Sequence, residues 1–159
     1  MTHIRGFDAA DVESVVALSL RAWAPVFASM QGVLRPEIYD RMHPDWQADQ
    51  RRDVEEACAN SEHRTWVADV DGRVVGFAVI ALHDRQKLGE IYMLAVDPEH
   101  QRSGTASALI EFALDQMRVA GMTVAMIETG DDPGHAPARH TYENAGFDLL
   151  PVARYFKAL

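Results

Sequence analysis

Only one cysteine, Cys58, occurs in the 159 residues, so no internal disulfide can form and no second thiolate is on hand for a metal site. Basic charge is scarce as well: 15 Lys and Arg stand against 24 Asp and Glu, a net charge of −9. Neutralising the phosphates of a nucleic acid needs clustered cations, so no nucleic-acid partner is expected, although local backbone dipoles can still hold a single anion. No apolar run approaches the roughly 20 residues that span a bilayer, and Met1 to Arg5 is not a basic segment leading into an apolar one. The expectation is a cytoplasmic chain with no membrane contact. Neither G-x-x-x-x-G-K-[ST] nor G-x-G-x-x-G occurs, which removes support for a P-loop nucleotidase or a dinucleotide-binding domain. Internal repeats and linkers rich in Gly, Pro or Ser are also missing.

What is present is an ordinary globular composition, 48% hydrophobic and 25% charged, enough for one domain over residues 1–159 with its own core. "HIRGF" is a short strand. Asp8 is placed to cap a helix whose apolar stripe is Val12, Val15, Val16, Ser19, Ala22 and Trp23, with Pro25 ending or kinking it. From Ala24 to Pro44 the pattern is mixed, with short helices around Arg35 to Met42, and Asp45 to Asn60 reads as a polar helix. Two strand runs flank Asp71-Gly72, a pair that tolerates positive φ in a two-residue hairpin turn. The next run, Leu88 to Val96, alternates so that Glu90, Tyr92, Leu94 and Val96 share one side. A helix from Gly104 to about Ala120 then buries Ala106, Leu109, Ile110, Ala113, Met117 and Ala120, with Gly121 as its cap. "TVAMIET" is a strand, "APARHTYENA" a short helix closed by Gly146, and "FDLLPVARYF" a last extended segment. Leu88 to Thr129 is thus a βαβ unit with parallel strands beside an antiparallel hairpin, which predicts a mixed sheet in an α/β fold.

The loop inside that unit leaves a strand and enters a helix. Such junctions bind anions, because a helix N-terminus offers unpaired N–H groups and the positive end of its dipole. Gly104 permits close backbone approach or an unusual φ, Ser103, Thr105 and Ser107 offer hydroxyls, Gln101 and Arg102 offer side-chain donors, and Ala106 keeps the wall small. The set suits a phosphate. The same residues would also make a plain turn and helix cap, and spacing alone leaves both readings open.

"QRSGTA", Gln101 to Ala106, resembles the Q/R-x-x-G-x-G/A loop of the GCN5-related N-acetyltransferase superfamily. "ARHTYENAGF" resembles its A-x-x-x-Y-x-x-x-G-F signature through Ala138, Tyr142, Gly146 and Phe147, and the order of elements is similar over nearly the whole chain. The resemblance implies a central mixed, mostly antiparallel sheet with a splayed parallel pair, flanked by helices. It implies acetyl-coenzyme A as cosubstrate, with its pyrophosphate on the loop from Gln101 to Ser107. Its pantetheine arm would bond to the backbone of Leu94, Ala95 and Val96 like an added strand. Where many members carry Asn before the tyrosine, this chain has His135, which is able to donate to the cofactor amide. Arg139 either reaches a cofactor phosphate or is solvated. No metal is expected: His135 with His140, and Asp131 with Asp132, lack the spacing of known sites. A homodimer is compatible with the resemblance.

Amide formation sets further demands. An alkylammonium has a pKa near 10 and attacks only as the free base, so a proton must leave. Glu90 is the candidate acceptor, directly or through water, on a strand where family members often place a general base; the alternative is a solvent-facing carboxylate paired with Arg85 or Lys87. Tyr142 resembles the family tyrosine that hydrogen-bonds or protonates the departing sulfur; the alternative is a core tyrosine beside Ala138 and Ala145. Trp23, Phe27 and Tyr92 are candidates to line the acceptor site, with core packing the competing role for Trp23. Cys58 reads as a small buried apolar residue. The implied activity is acetyl transfer to a primary amine, first of a small molecule such as a polyamine or an aminoglycoside-like compound, second of a protein lysine or N-terminus. A reading from a different class is a non-catalytic domain that senses an acyl-coenzyme A.

Overall fold

The computed structural model describes residues 1–159. In chain order it has β1 (His3–Gly6), α1 (Val12–Val33), α2 (Pro36–Met42), α3 (Trp46–Ala59), β2 (His63–Val70), β3 (Arg73–His83), β4 (Leu88–Val96), α4 (Thr105–Val119), β5 (Val124–Ile127) and α5 (Ala136–Asn144). The five strands form one sheet in the order β1-β2-β3-β4-β5. The first three pairings are antiparallel and β4–β5 is parallel. No helix is long and apolar enough to cross a membrane.

Local chemistry accounts for most boundaries. Asp8 accepts from the Ala10 amide while Asp11 accepts from the Asp8 amide, a reciprocal capping box on the short 3-10 turn that opens α1. Pro25 does not end the helix, which continues to Val33. Proline removes one helix hydrogen bond, but beyond it Phe27 is buried and stacks on Trp46 at 4.6 Å. Tertiary packing of α1 on α3 therefore outweighs the local penalty. In the β2–β3 turn, Asp71 (φ 52°) and Gly72 (φ 81°) are both left-handed, as a two-residue hairpin requires, and Asp69 accepts from the Gly72 amide at 2.7 Å.

β3 is buried on both faces through its middle. On one face Val67, Phe77, Val79 and Ala95 pack with Val15, Val16 and Leu18 of α1 and Val54 of α3. On the other, Ile80 and Ile91 pack with Ile110, Ala113 and Met117 of α4, and Ala78 and Val96 pack with Leu109. Each fully buried aliphatic or aromatic side chain contributes about 1.5–3 kcal/mol, so the sheet is held from both sides. The stripe read on α4 is buried at Leu109, Ile110, Ala113 and Met117, while Ala106 and Ala120 lie at its margin.

Two expectations need correction. The register jumps from Val79↔Met93 to Ile80↔Ile91, so Tyr92 is an extra residue in β4. This bulge reverses the alternation: Met93 and Ala95 pack toward α1, whereas Leu94 and Val96 pack toward α4. Gly89 and Ile91 also face α4, since a Cβ at Gly89 would meet Met117. Glu90 and Tyr92 thus share the α1 face, without Leu94 and Val96. The closing segment "FDLLPVARYF" forms no strand. Pro151 has no N–H for a ladder, and Leu149, Leu150 and Val152 are exposed, with Arg154 donating to Glu128 at 3.2 Å.

Candidate active site

The β4–β5 ladder spans Leu88↔Val124 to Ile91↔Ile127, yet β4 continues to Val96. From Tyr92 onward β4 has β3 on one side and no strand on the other, which opens the parallel pair. Leu94, Ala95 and Val96 lie on that free edge. Alternate backbone groups there are available to an extended ligand, in the manner of an added strand.

The free edge runs directly into the loop. At the corner Asp97 is fully buried; its carboxylate pairs with Arg21 of α1, lies 3.7 Å from Arg73 and accepts from the Glu99 amide at 3.0 Å. Burial opposes its charge, but the Arg21 hydrogen bond, the Glu99 amide and the guanidinium fields outweigh it and hold the carboxyl below its ordinary range. Gln101 then donates to the Val96 carbonyl at 3.2 Å. Arg102 (φ 60°) and Gly104 (φ 84°) are left-handed on either side of Ser103. Ser103 donates to the His100 carbonyl, and its hydroxyl shares a hydrogen bond with Thr105 at 2.9 Å. Gly104 has no side-chain cap to give, and the amide of Ala108 makes the bond back to its carbonyl at 2.9 Å. The amides of Thr105, Ala106 and Ser107 are left without helical partners, a concavity of N–H donors suited to an anion.

This geometry decides between the two reasons for Gly104. A Cβ there would meet nothing within 4 Å, so the glycine answers to its positive φ, and the space beside it is open to a ligand. The side chains of Gln101 and Ser103 are occupied in shaping the loop, which leaves backbone amides as its donors. Arg102 and Ser107 are exposed. A diphosphate at this loop with an extended arm along β4 fits the residues present.

Tyr142 packs on the α4-side core, with Phe147 edge-on at 6.4 Å. Burial pushes its hydroxyl up to about 12. Glu90 lies on the opposite face of the sheet beside Ile91, so the two candidates flank the place where β4 and β5 part. Glu90 pairs with neither Arg85 nor Lys87; His83 meets it, Nε2 to Oε2, at 2.9 Å.

Arg139 donates to the carbonyls of Gly130 at 2.6 Å and Asp132 at 2.9 Å. It braces the loop after β5, a role spacing could not reveal. His135 Nδ1 bonds to Asp132, whose other oxygen accepts from Ser29 of α1 while the Gly134 amide donates to Ser29 at 2.9 Å. Burial opposes the Asp132 charge, and Ser29 and His135 together hold its carboxyl below the usual range. Of the acceptor candidates, Phe27 is buried against Trp46 and His43, and Trp23 packs on the α1-side core. Tyr92 is exposed at the bulge, its ring 4.9 Å from that of His63. Cys58 packs partly buried on the α1-side core, and burial pushes its thiol up to about 11.

Sequence reasoning missed His83, Asp97 and Ser29, and weighed Asp132 only as a metal ligand. For His83 a signal existed: pairing the two strand runs through the turn at residues 84–87 brings it near Glu90. Asp97, Glu99 and His100 present ligand-type atoms within 4.8 Å of one another, but Arg21 and Arg73 already neutralise the carboxylates.

Residues 33–147 match the profile described as the acetyltransferase (GNAT) family. Among curated proteins, a mycothiol acetyltransferase of Streptomyces griseus is 32% identical over 87 residues, covering 55% of this chain and 28% of that protein. A mycothiol acetyltransferase of Streptomyces avermitilis is 25% identical over 147 residues, covering 91% of this chain and 47% of that one. The chain therefore spans half or less of the length of these relatives. Among solved structures, AAC(6')-Iy in complex with the bisubstrate analog CoA-S-monomethyl-acetylneamine superposes with a TM-score of 0.69 at 17% identity, covering 99% of this chain and 97% of that one.

Proposed function

The chain belongs to the acetyltransferase (GNAT) family, and from that premise we propose that it transfers an acetyl group from acetyl-coenzyme A directly to the primary amine of a small molecule. The observation that carries the reading is the continuity of the open β4 edge with the left-handed turn at Arg102 and Gly104. One extended ligand with a diphosphate at its end can follow both. Bound there, the cosubstrate supplies a thioester already activated for attack by an amine.

This chain's residues do the rest. The amides of Thr105 to Ser107 hold the diphosphate at the positive end of α4. Leu94, Ala95 and Val96 orient the arm. Tyr142 would serve the departing sulfur: a hydroxyl at about 12 is a poorer acid than a thiol near 8.5, so it would stabilise the thiolate by donating a hydrogen bond rather than by giving up its proton. On the other face, a base in the group around Glu90 accepts the proton of the incoming ammonium. The acceptor class is supported by the naming of the curated relatives for mycothiol and by the naming of the matching structure, AAC(6')-Iy, as an aminoglycoside N-acetyltransferase. The net charge of −9 further favours a cationic acceptor.

A thermal-shift titration with acetyl-coenzyme A and coenzyme A tests the cofactor site, because a ligand that binds only the folded state raises its stability. The native protein and Gly104→Asn, which tolerates a left-handed φ, are expected to shift, and Gly104→Glu is not. No shift in folded native protein would overturn the reading. Thiol release with panels of polyamines, aminoglycosides and lysyl peptides then separates small-molecule from protein acceptors.

A further inference from the structure

His83 closes β3, and Glu90 sits opposite Ala81, two residues back along the same strand. The imidazole and carboxylate therefore lie on one face and meet at 2.9 Å. An ionised carboxylate can only accept, so Nε2 carries the hydrogen and Nδ1 is left with its lone pair. Nδ1 makes no hydrogen bond within the chain. The carboxylate is the more shielded partner, 21% exposed against 44% for the imidazole, so it is the imidazole that is offered outward. The charged and titratable groups around the pair are Asp84, Arg85 and Lys87 on the β3–β4 turn, with His63 and Tyr92 on the same face. No salt bridge draws Glu90 away to Arg85 or Lys87.

Resting on the acetyltransferase reading above, we propose that His83 Nδ1, and not the Glu90 carboxylate, takes the proton from the acceptor ammonium, with Glu90 as the positioning residue that fixes the tautomer and stabilises the imidazolium. An ordered carboxylate behind Nε2–H holds the imidazole in the tautomer and orientation that leave Nδ1 free to accept a proton, the logic by which a carboxylate supports the histidine of a hydrolytic triad. The protons balance. The ammonium gives one proton to Nδ1; the free amine forms the C–N bond as the C–S bond breaks; the nitrogen's surplus proton goes to the departing thiolate, giving thiol. The imidazolium then returns its proton to water through its exposed edge, for a net release of one proton per acetyl group transferred.

Amine-dependent thiol release by the native protein, His83→Gln, His83→Ala and Glu90→Gln, measured from about pH 5 to 9, tests this. His83→Gln is expected to lower kcat about 100-fold with the KM for acetyl-coenzyme A unchanged, and to lose the acid limb of the pH profile. Added imidazole should restore part of the His83→Ala rate. Glu90→Gln should lower kcat less, about 10-fold, with the KM for acetyl-coenzyme A unchanged, because the imidazole keeps its basic nitrogen and loses only the group that orients it. A His83→Gln protein within twofold of native, beside an inactive Glu90→Gln, would overturn the proposal and leave the enzyme reading standing. Native protein that binds cofactor yet releases no thiol with any amine would overturn the enzyme reading, and this proposal with it.

Discussion

On the α4 side of the open β4 edge, the groups arranged to hold an anion come from seven consecutive residues, Gln101 to Ser107. On the α1 side, the polar groups around Glu90 come from three strands: His63 from β2, His83 from β3 and Tyr92 from β4 itself. The first region is set by φ angles and by the orphan amides of one helix, all local properties. The second exists only once the hairpin has paired and the Tyr92 bulge has set which side chains share a face. A local device tolerates substitution around it so long as its glycine and helix remain, whereas an assembled one depends on register.

The difference can be broken most sharply at Tyr142, which approaches from the α4 face but is proposed to act in the chemistry. Tyr142→Phe should lower kcat about 100-fold, the scale of one donor to a developing anion, while leaving the cofactor thermal shift intact. A lost shift with little change in kcat would instead place Tyr142 with the cofactor-holding residues.

Asp97 comes next, because it ties the loop to α1 through Arg21. Asp97→Asn is expected to cost about 2 kcal/mol at neutral pH, less than breaking a fully buried pair costs, because the guanidinium partners are half exposed and screened. Since the folded state holds this carboxyl below its ordinary range, its stabilisation is present above the unfolded value near 3.9 and is lost as pH falls through the folded one. Urea unfolding at several pH values should therefore show a steeper acid loss in the native protein than in the variant. Equal slopes would mean that the corner is not an electrostatic joint.

The smallest effect is expected at Cys58, which belongs to neither region. With its thiol pushed up to about 11 by burial, alkylation near neutral pH should be slow in the folded protein and fast in denaturant, with amine transfer unchanged in Cys58→Ala. Rapid labelling of the folded protein would contradict this packing.

Much of the anion-suited side was readable from residue order. The hairpin turn at Asp71-Gly72, the βαβ unit and the glycine at the mouth of α4 each rest on a short-range steric or capping rule that needs no knowledge of distant contacts. What escaped was decided at a distance. Pro25 signalled a helix end or a kink, yet burial of Phe27 against Trp46 carries α1 through it. Arg139 read either as reaching a phosphate or as solvated, yet two backbone carbonyls of the loop after β5 hold it. "FDLLPVARYF" read as a last extended segment but gains no ladder within this chain.

The sequence by itself determined the mixed sheet and the anion-suited turn, because periodicity, φ preference and helix-end chemistry act over a few residues. Only the tertiary structure decided that Tyr92 is a bulge, that Asp97 is clamped by Arg21, and that the partner of Glu90 is His83. Those facts depend on strand register and on contacts between residues far apart in the chain, and a one-residue slip in register would have turned every one of these side chains to another face.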